Sequence, residues 1–443
     1  MKMLEKNKYL FRFITVLLAV MCAVVATIPL TGCSDDDETD TTITTDEETQ
    51  TEEEPLEFLR VGFIYSGTIA NSTHNKMWEE ARSAIEVQQG AETLYIENVF
   101  VSNFREAVQM LSMQDVQVIV STTHRFASEL EDIAGEYKDI VFISFGGNTL
   151  AQNITTFRPL LFQPAHVAGL AAGYNTGEGV DKVGVVVDET MYNAPAVVNA
   201  FIRGTRLAYK SGVSIHVRSV DGRNKAMVER GVSELRDEGV DTILSYIDTD
   251  YAIKYAERND IKVVGYTDSI SDIAPQNHVT GFGFNARLFL IEQINKFQHS
   301  DGLFFPSSVK GELDSGELFL SPLNTNGSIV LADTADLVNE LLGNVINGDA
   351  PIFEGEMMDR HAKVQIPRGA VLTTEEILDM KWYEFSIGGN TRTLVEPYPD
   401  VPIVPLVIKG DLVTNPNHGG DIPTPSTDTP PATDAPPTAT HDQ

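Results

Sequence analysis

Between residues 59 and 297 short apolar runs alternate with stretches whose apolar positions recur every three or four residues. The first run is Val61, Phe63, Ile64 and Tyr65, and the first periodic stretch carries Trp78, Ala81 and Ile85. A buried strand, a loop of small and polar residues at 66–75 and an amphipathic helix follow from that order. Extending the same criteria predicts strands at 60–65, 93–99, 116–121, 140–145, 182–187, 214–220, 242–246 and 262–266. The intervening helices are expected at 77–89, 104–113, 125–137, 165–174, 195–210, 225–237, 250–258 and 287–297. Strands alternating with helices of this length imply parallel sheets. The units fall into two sets of four, so the expected fold is α/β, with two doubly wound parallel-sheet lobes joined by crossing segments at 150–164 and 281–285. Two such lobes with strand ends facing each other enclose a cleft, and ligands of open α/β sheets sit at the carboxyl ends of the strands. Later segments, a helix expected at 334–346 and the stretch 372–383 among them, finish the second lobe and its edges, so that C-terminal segments complete both lobes.

The ends of the chain break this pattern. Lys2, Lys6, Lys8 and Arg12 precede an apolar run at 13–30 that closes on Leu30-Thr31-Gly32-Cys33, so 1–33 reads as a cleaved targeting segment rather than a span. Its last four residues resemble the lipobox of bacterial lipoproteins, which implies a diacylglycerol on Cys33 and a membrane-anchored, extracytoplasmic protein. Residues 34–57 hold twelve Asp or Glu and no Lys or Arg, a composition too hydrophilic to pack, and form an acidic tether. The acidic residues directly after Cys33 also resemble signals that send some lipoproteins to the cell surface. Residues 411–443 are rich in Pro and Thr and read as an extended tail. The binding domain is expected at 58–410, with lobe 1 near 58–155 and lobe 2 near 160–280.

A formal net charge of −32 argues against nucleic acid as a partner, because a phosphate-binding surface needs clustered Lys and Arg. Cys22 and Cys33 are the two cysteines, so the mature chain lacks a disulfide pair and a thiolate metal site. The nine His show no metal-binding spacing, and neither a nucleophile elbow nor a Walker loop is present, so no catalytic set, metal or cofactor is expected. Gly281-Phe282-Gly283-Phe284-Asn285-Ala286 matches a dinucleotide fingerprint, but it follows the eighth strand and lacks a downstream acid at the right distance. It reads as a glycine-rich hinge.

Ordered motifs then suggest a family. Gly62-Phe63 with Gly67-Thr68-Ile69 and Asn75, Arg158 with Phe162-Gln163 and the 168–173 run, Gly184 with Phe201-Ile202-Arg203-Gly204, and Asp248 with 264–268 resemble, in this order, the basic membrane protein (BMP) family. The ending LTTEEILDMKWYEFSIGG is also similar. The resemblance covers roughly 59–389 and implies a type I periplasmic-binding-protein-like fold. It further implies a purine nucleoside held between aromatic rings and carboxylates, and an ABC permease as partner.

On that pattern Asp268 falls where the family holds the ribose, Asn75 matches a family Asn, and Asn71 and His74 stand where the family commonly has Asp and a larger ring. Phe126 is either a ligand-facing ring or the core cap of its helix. Tyr192 in its loop is a better second-lobe ring than Phe201 in mid-helix. Asp188 and Asp248 each follow a strand and complete the candidate set. Two alternatives stay open: a sensor of the same fold that feeds a receptor, and a binder of a sugar or other small metabolite. An envelope enzyme is a more distant third.

Overall fold

The computed structural model describes residues 59–148, 151–177, 179–209, 212–299, 306–325, 330–384 and 405–410, and the backbone of 391–393. The targeting segment with Cys33, the tether at 34–57 and the tail at 411–443 lie outside the described residues. Most described strands are apolar on both faces, the pattern of a sheet covered by helices on each side. In the first sheet, β1 (Arg60–Ile64), β2 (Glu92–Ile96), β3 (Val118–Ser121), β4 (Val141–Phe145) and β5 (Ile154–Pro159) run parallel in the order β5-β4-β3-β1-β2. In the second, β6 (Lys182–Val187), β7 (Ser214–Ser219), β8 (Thr242–Tyr246), β9 (Lys262–Tyr266) and β10 (His278–Phe284) repeat that order as β10-β9-β8-β6-β7.

Each sheet gains two edge strands. β11 (Ser308–Gly311) and β16 (Ile408–Lys409) flank the first, while β12 (Leu318–Leu320) and β15 (Thr391–Thr393) flank the second. A small antiparallel pair, β13 (Met357–Met358) with β14 (Val364–Ile366), stands apart. Two doubly wound lobes are therefore present, as the alternation predicts, but with mixed edges: β16 and β12 are antiparallel to their neighbours. The strand order reverses between β1 and β3 and again between β6 and β8. These are the topological switch points, outside which ligands of such sheets bind.

The crossings differ from the expected ones. Both 154–159 and 278–284 are full strands rather than connections, and the chain passes between sheets just after each of them. A third passage, not singled out from sequence, runs from Gly311 in the first sheet to Leu318 in the second. Three passages between the sheets are the connection about which lobes of this kind can hinge.

Helix α1 (Thr73–Gln89) begins four residues before its expected start because Ser72 caps it, accepting from the Asn75 N–H at 2.8 Å. It ends where Gly90 turns left-handed. Its buried face, Met77, Trp78, Ala81 and Ile85, joins a core that includes β1 and β4. Two further helices, Phe162–Tyr174 and Ala194–Leu207, lie against each other with almost no side chain between them. A Cβ on Gly169 would overlap the Phe201 carbonyl, and one on Gly204 the His166 carbonyl. Small residues at these positions are what let the backbones approach.

Candidate ligand-binding site

Loops from the carboxyl ends of β1, β3, β6, β8 and β9 converge on one point between the lobes, lined by Ser66, His74, Thr123, Arg125, Tyr192, Asp248 and Tyr266 among others. His74, in the first turn of α1, is the centre. Its Nε2 lies 2.6 Å from the Thr122 carbonyl, which can only accept, so Nε2 carries the proton. Nδ1 is left to accept from the Tyr266 hydroxyl at 2.9 Å. Burial holds His74 below the usual imidazole range, outweighing the pull of Asp248, and burial pushes the Tyr266 phenol well above its own. A neutral imidazole and a protonated phenol are the forms this bond requires. The His74 ring meets Phe145 edge-on at 4.8 Å and leans on Phe284 at 5.2 Å.

Asp248 follows β8 in lobe 2 and reaches the start of α1 in lobe 1. Its Oδ1 accepts from Ser72 Oγ at 2.6 Å and from the His74 backbone N–H at 3.0 Å. A carboxylate at a helix N-terminus is favoured by the unpaired N–H groups and the helix dipole. Together with His74–Tyr266 and a bond from Arg223 Nη2 to the Ser66 carbonyl at 2.8 Å, this holds the two lobes against each other.

The opposite wall is the loop after β6. Asp188 organises it: Oδ1 accepts from the Thr190 N–H and Oγ1 at 2.9 and 2.7 Å, and Oδ2 accepts from the Gly222 N–H at 3.1 Å. That loop presents Tyr192, whose ring packs on Phe145 at 5.0 Å and on His124 at 5.6 Å. The Tyr192 carbonyl accepts from the Tyr246 hydroxyl at 2.5 Å, and burial raises the Tyr192 phenol far above its usual range. His124 is held neutral, its pKa lowered to about 3 by burial and then by the Arg125 charge.

Two cavities flank this junction. One of about 400 Å³ shares His124, Thr190, Met191 and Tyr192 with it and is closed by Leu378–Lys381 and Tyr383 of the C-terminal segment. The other, about 660 Å³, lies between α1, the crossing at Asn285 and the end of β9, and includes Glu80, Asp268, Phe284 and Phe319. In it burial, and then the neighbouring Asp268, push the Glu80 carboxyl up to about 7.

Of the residues singled out from sequence, His74, Asp188, Tyr192 and Asp248 come together at the junction. Asn71 is exposed on the approach to α1. Asn75 is fully buried beneath it, and its side-chain amide has no hydrogen-bond partner among the described residues. Asp268 belongs to the second cavity, away from His74. Phe126 does not face the cleft: a 3-10 turn at His124–Phe126 directs its ring inward, where it stacks on Phe104 at 4.6 Å in the lobe 1 core. Tyr266, Phe145, Arg125 and Arg223 were not singled out. The first two end apolar strands and read as core, and the arginines read as solvated charge.

The chain is 20% identical over 331 residues to a purine-binding protein of Brucella abortus, covering 74% of this chain and 92% of that one. It is 25% identical over 225 residues to a putative ABC transporter glucose-binding protein of Haloferax volcanii, covering 50% of this chain and only 57% of that protein's length. Among solved structures, an ABC transporter solute-binding protein from Aeropyrum pernix superposes with a TM-score of 0.57 at 13% identity, over 66% of this chain and 92% of that one, which supports the fold alone. The family model for PnrA-like ABC transporter substrate-binding proteins matches residues 58–310, more than half of the sequence, and the chain belongs to that Bmp family.

Proposed function

We propose that the protein captures a small polar solute, foremost a purine nucleoside, in the cleft between its lobes and presents it to an ABC permease outside the cytoplasm. The observation that carries this is a chamber of about 400 Å³ with the Tyr192, His124 and Tyr383 rings in its wall, opening beside the junction of His74, Phe145, Tyr266 and the Asp248 carboxylate. Flat rings suit a purine, since stacking on an aromatic side chain is worth about 1–3 kcal/mol per base. A carboxylate fixes hydroxyls through charge-assisted bonds. The kinship with a purine-binding protein favours the same class, and that with a putative glucose-binding protein favours the second reading, a sugar. Calorimetry against adenosine, guanosine, inosine, the free bases, ribose and glucose separates the two. A purine nucleoside is expected to bind, and protein purified natively is expected to release an absorber at about 260 nm, the band of the base stacked in such sites. Binding of a sugar with no nucleoside would overturn the nucleoside reading and leave the solute-binding role in place.

The anchor belongs to the same proposal. The lipobox-like Leu30-Thr31-Gly32-Cys33 supports acylation of Cys33, with 34–57 as the tether between lipid and binding domain. Cys33→Ala is expected to release the protein from the membrane fraction. A variant that still fractionates with membranes as the parent does would remove the anchor from the account.

A further inference from the structure

Arg125 starts the helical segment after β3, and its guanidinium lines the junction between His74, Tyr192 and Asp248. Arg125 is half-buried; its Nε is fully buried without a hydrogen-bond partner, and the guanidinium enters no hydrogen bond or ion pair among the described residues. Three carboxylates, Asp188, Asp248 and Asp221, are near enough to attract it, but none is hydrogen-bonded to it, and Asp221 Oδ1 accepts from the Arg223 N–H instead. Both oxygens of Asp188 accept from the Thr190 and Gly222 groups of their own lobe, and Asp248 Oδ1 accepts from Ser72 and His74. A second guanidinium, Arg223 of lobe 2, stands close enough to repel Arg125 electrostatically and reaches across to the Ser66 carbonyl.

An arginine cannot shed its proton to escape burial, and it has five N–H donors in a fixed fork. Leaving the buried Nε–H without an acceptor is costly, and so is bringing two cations together. An oxyanion between them answers both costs, because planar bidentate recognition is what guanidinium groups do best. We propose that Arg125, with Arg223 opposite, forms an anion subsite of the cleft, so that the solute carries a carboxylate or a phosphate. The inference rests on the cleft being the solute site.

The space directly beside Arg125 is about 10 Å³, room for about one water. The adjoining cavity of about 400 Å³ shares four wall residues with it and has the volume for the body of a small metabolite. The body of the solute therefore takes the larger chamber, against Tyr192, and its acidic group is directed from there at the Arg125 guanidinium, in place of the water-sized gap. Acidic derivatives of the two scaffolds already considered fit this description: a nucleoside monophosphate, a sugar phosphate or a sugar acid.

The test uses the whole chain, melted and titrated calorimetrically with matched pairs: adenosine and adenosine 5′-monophosphate, guanosine and its 5′-monophosphate, glucose and glucose 6-phosphate, glucose and glucuronate. At least one acidic member is expected to bind about tenfold or more tightly than its neutral parent, the scale of one added charge-assisted hydrogen bond. The pair that shows the preference says whether the group is phosphate or carboxylate. Arg125→Gln should bring that ratio close to one, and Arg125→Lys, which keeps the charge but loses the fork, should leave part of it. Should Arg125→Gln melt far below the parent, Arg223→Gln and Arg125→Lys carry the comparison. The subsite is overturned if no acidic member raises the melting temperature beyond its parent, or if the preference survives these substitutions. Adenosine binding as tightly as its monophosphate would sink the subsite and leave the nucleoside reading intact. Glucuronate binding with no nucleoside would do the reverse.

Discussion

Gly204→Ala should cost about 3 kcal/mol or more, the upper end for overpacking a well-filled interior. The new Cβ would overlap the His166 carbonyl oxygen, with the carbonyl carbon 2.8 Å away and the Leu170 nitrogen 3.1 Å away. All three are backbone atoms of the facing helix, Phe162–Tyr174, so no rotamer change relieves the clash. The helices must move apart, and Ala194–Leu207 starts two residues after Tyr192, so the cleft wall moves with them. Helix propensity alone predicts the opposite sign, a gain of up to about 1 kcal/mol for Gly to Ala. Gly343, within Ala332–Ile346, has nothing within 4 Å of where its Cβ would stand, and there alanine should stabilise. Urea or thermal melts of the two variants should therefore shift in opposite directions. A Gly204→Ala melt at or above that of the parent would show that the close helix contact does not exist in solution.

The doubly wound plan was legible because a strand covered on both faces must be a nearly continuous apolar run, and β1, β3, β4, β6, β8 and β9 are such runs. β5 and β10 were not, since ITTFRP and HVTGFGF mix Thr, Gly and charge with their apolar residues. Several of their polar side chains find tertiary partners that no local pattern announces, as when Thr280 Oγ1 donates to the Ser321 carbonyl. The third passage between sheets escaped for a related reason: β11 and β12 have four and three residues, too few for a period to register.

At the site, position relative to strand ends was the useful signal. It picked Asp188, Tyr192 and Asp248, which follow β6 and β8. It could not separate Phe126 from a ligand-facing ring, because a single 3-10 turn decides whether that ring points into the cleft or onto Phe104. Tyr266 and Phe145 were hidden by their own hydrophobicity. Each closes an apolar strand; Phe145 meets the His74 ring within lobe 1, and only the packing of lobe 2 on lobe 1 brings Tyr266 to it. Asp268 sits two residues past Tyr266, and it turns toward Glu80 and the crossing instead of toward His74.

Asp248→Ala should loosen the two lobes and weaken solute binding on the order of a hundredfold. Truncating one partner of a hydrogen-bonded charged contact costs about 2–5 kcal/mol when buried, and Asp248 is half-buried, which places it at the low end. The loss falls on closure and not on the helix. Ser72 Oγ still accepts from the Asn75 N–H without Asp248, so α1 keeps its cap. The His74 N–H and the Ser72 hydroxyl would face the cleft without the lobe 2 carboxylate, and water would have to enter to satisfy them. A solute that binds the closed form then pays the closing cost, and its apparent affinity falls by the fraction of molecules closed. Asp248→Asn keeps an acceptor without the charge and should lose less, by about the 0.3–2 kcal/mol that a charge adds at a helix N-terminus. Small-angle scattering should show a larger radius of gyration for Asp248→Ala than for the parent, with Asp248→Asn between them. Equal radii and equal affinities across the three proteins would mean that Asp248 does not hold the lobes together.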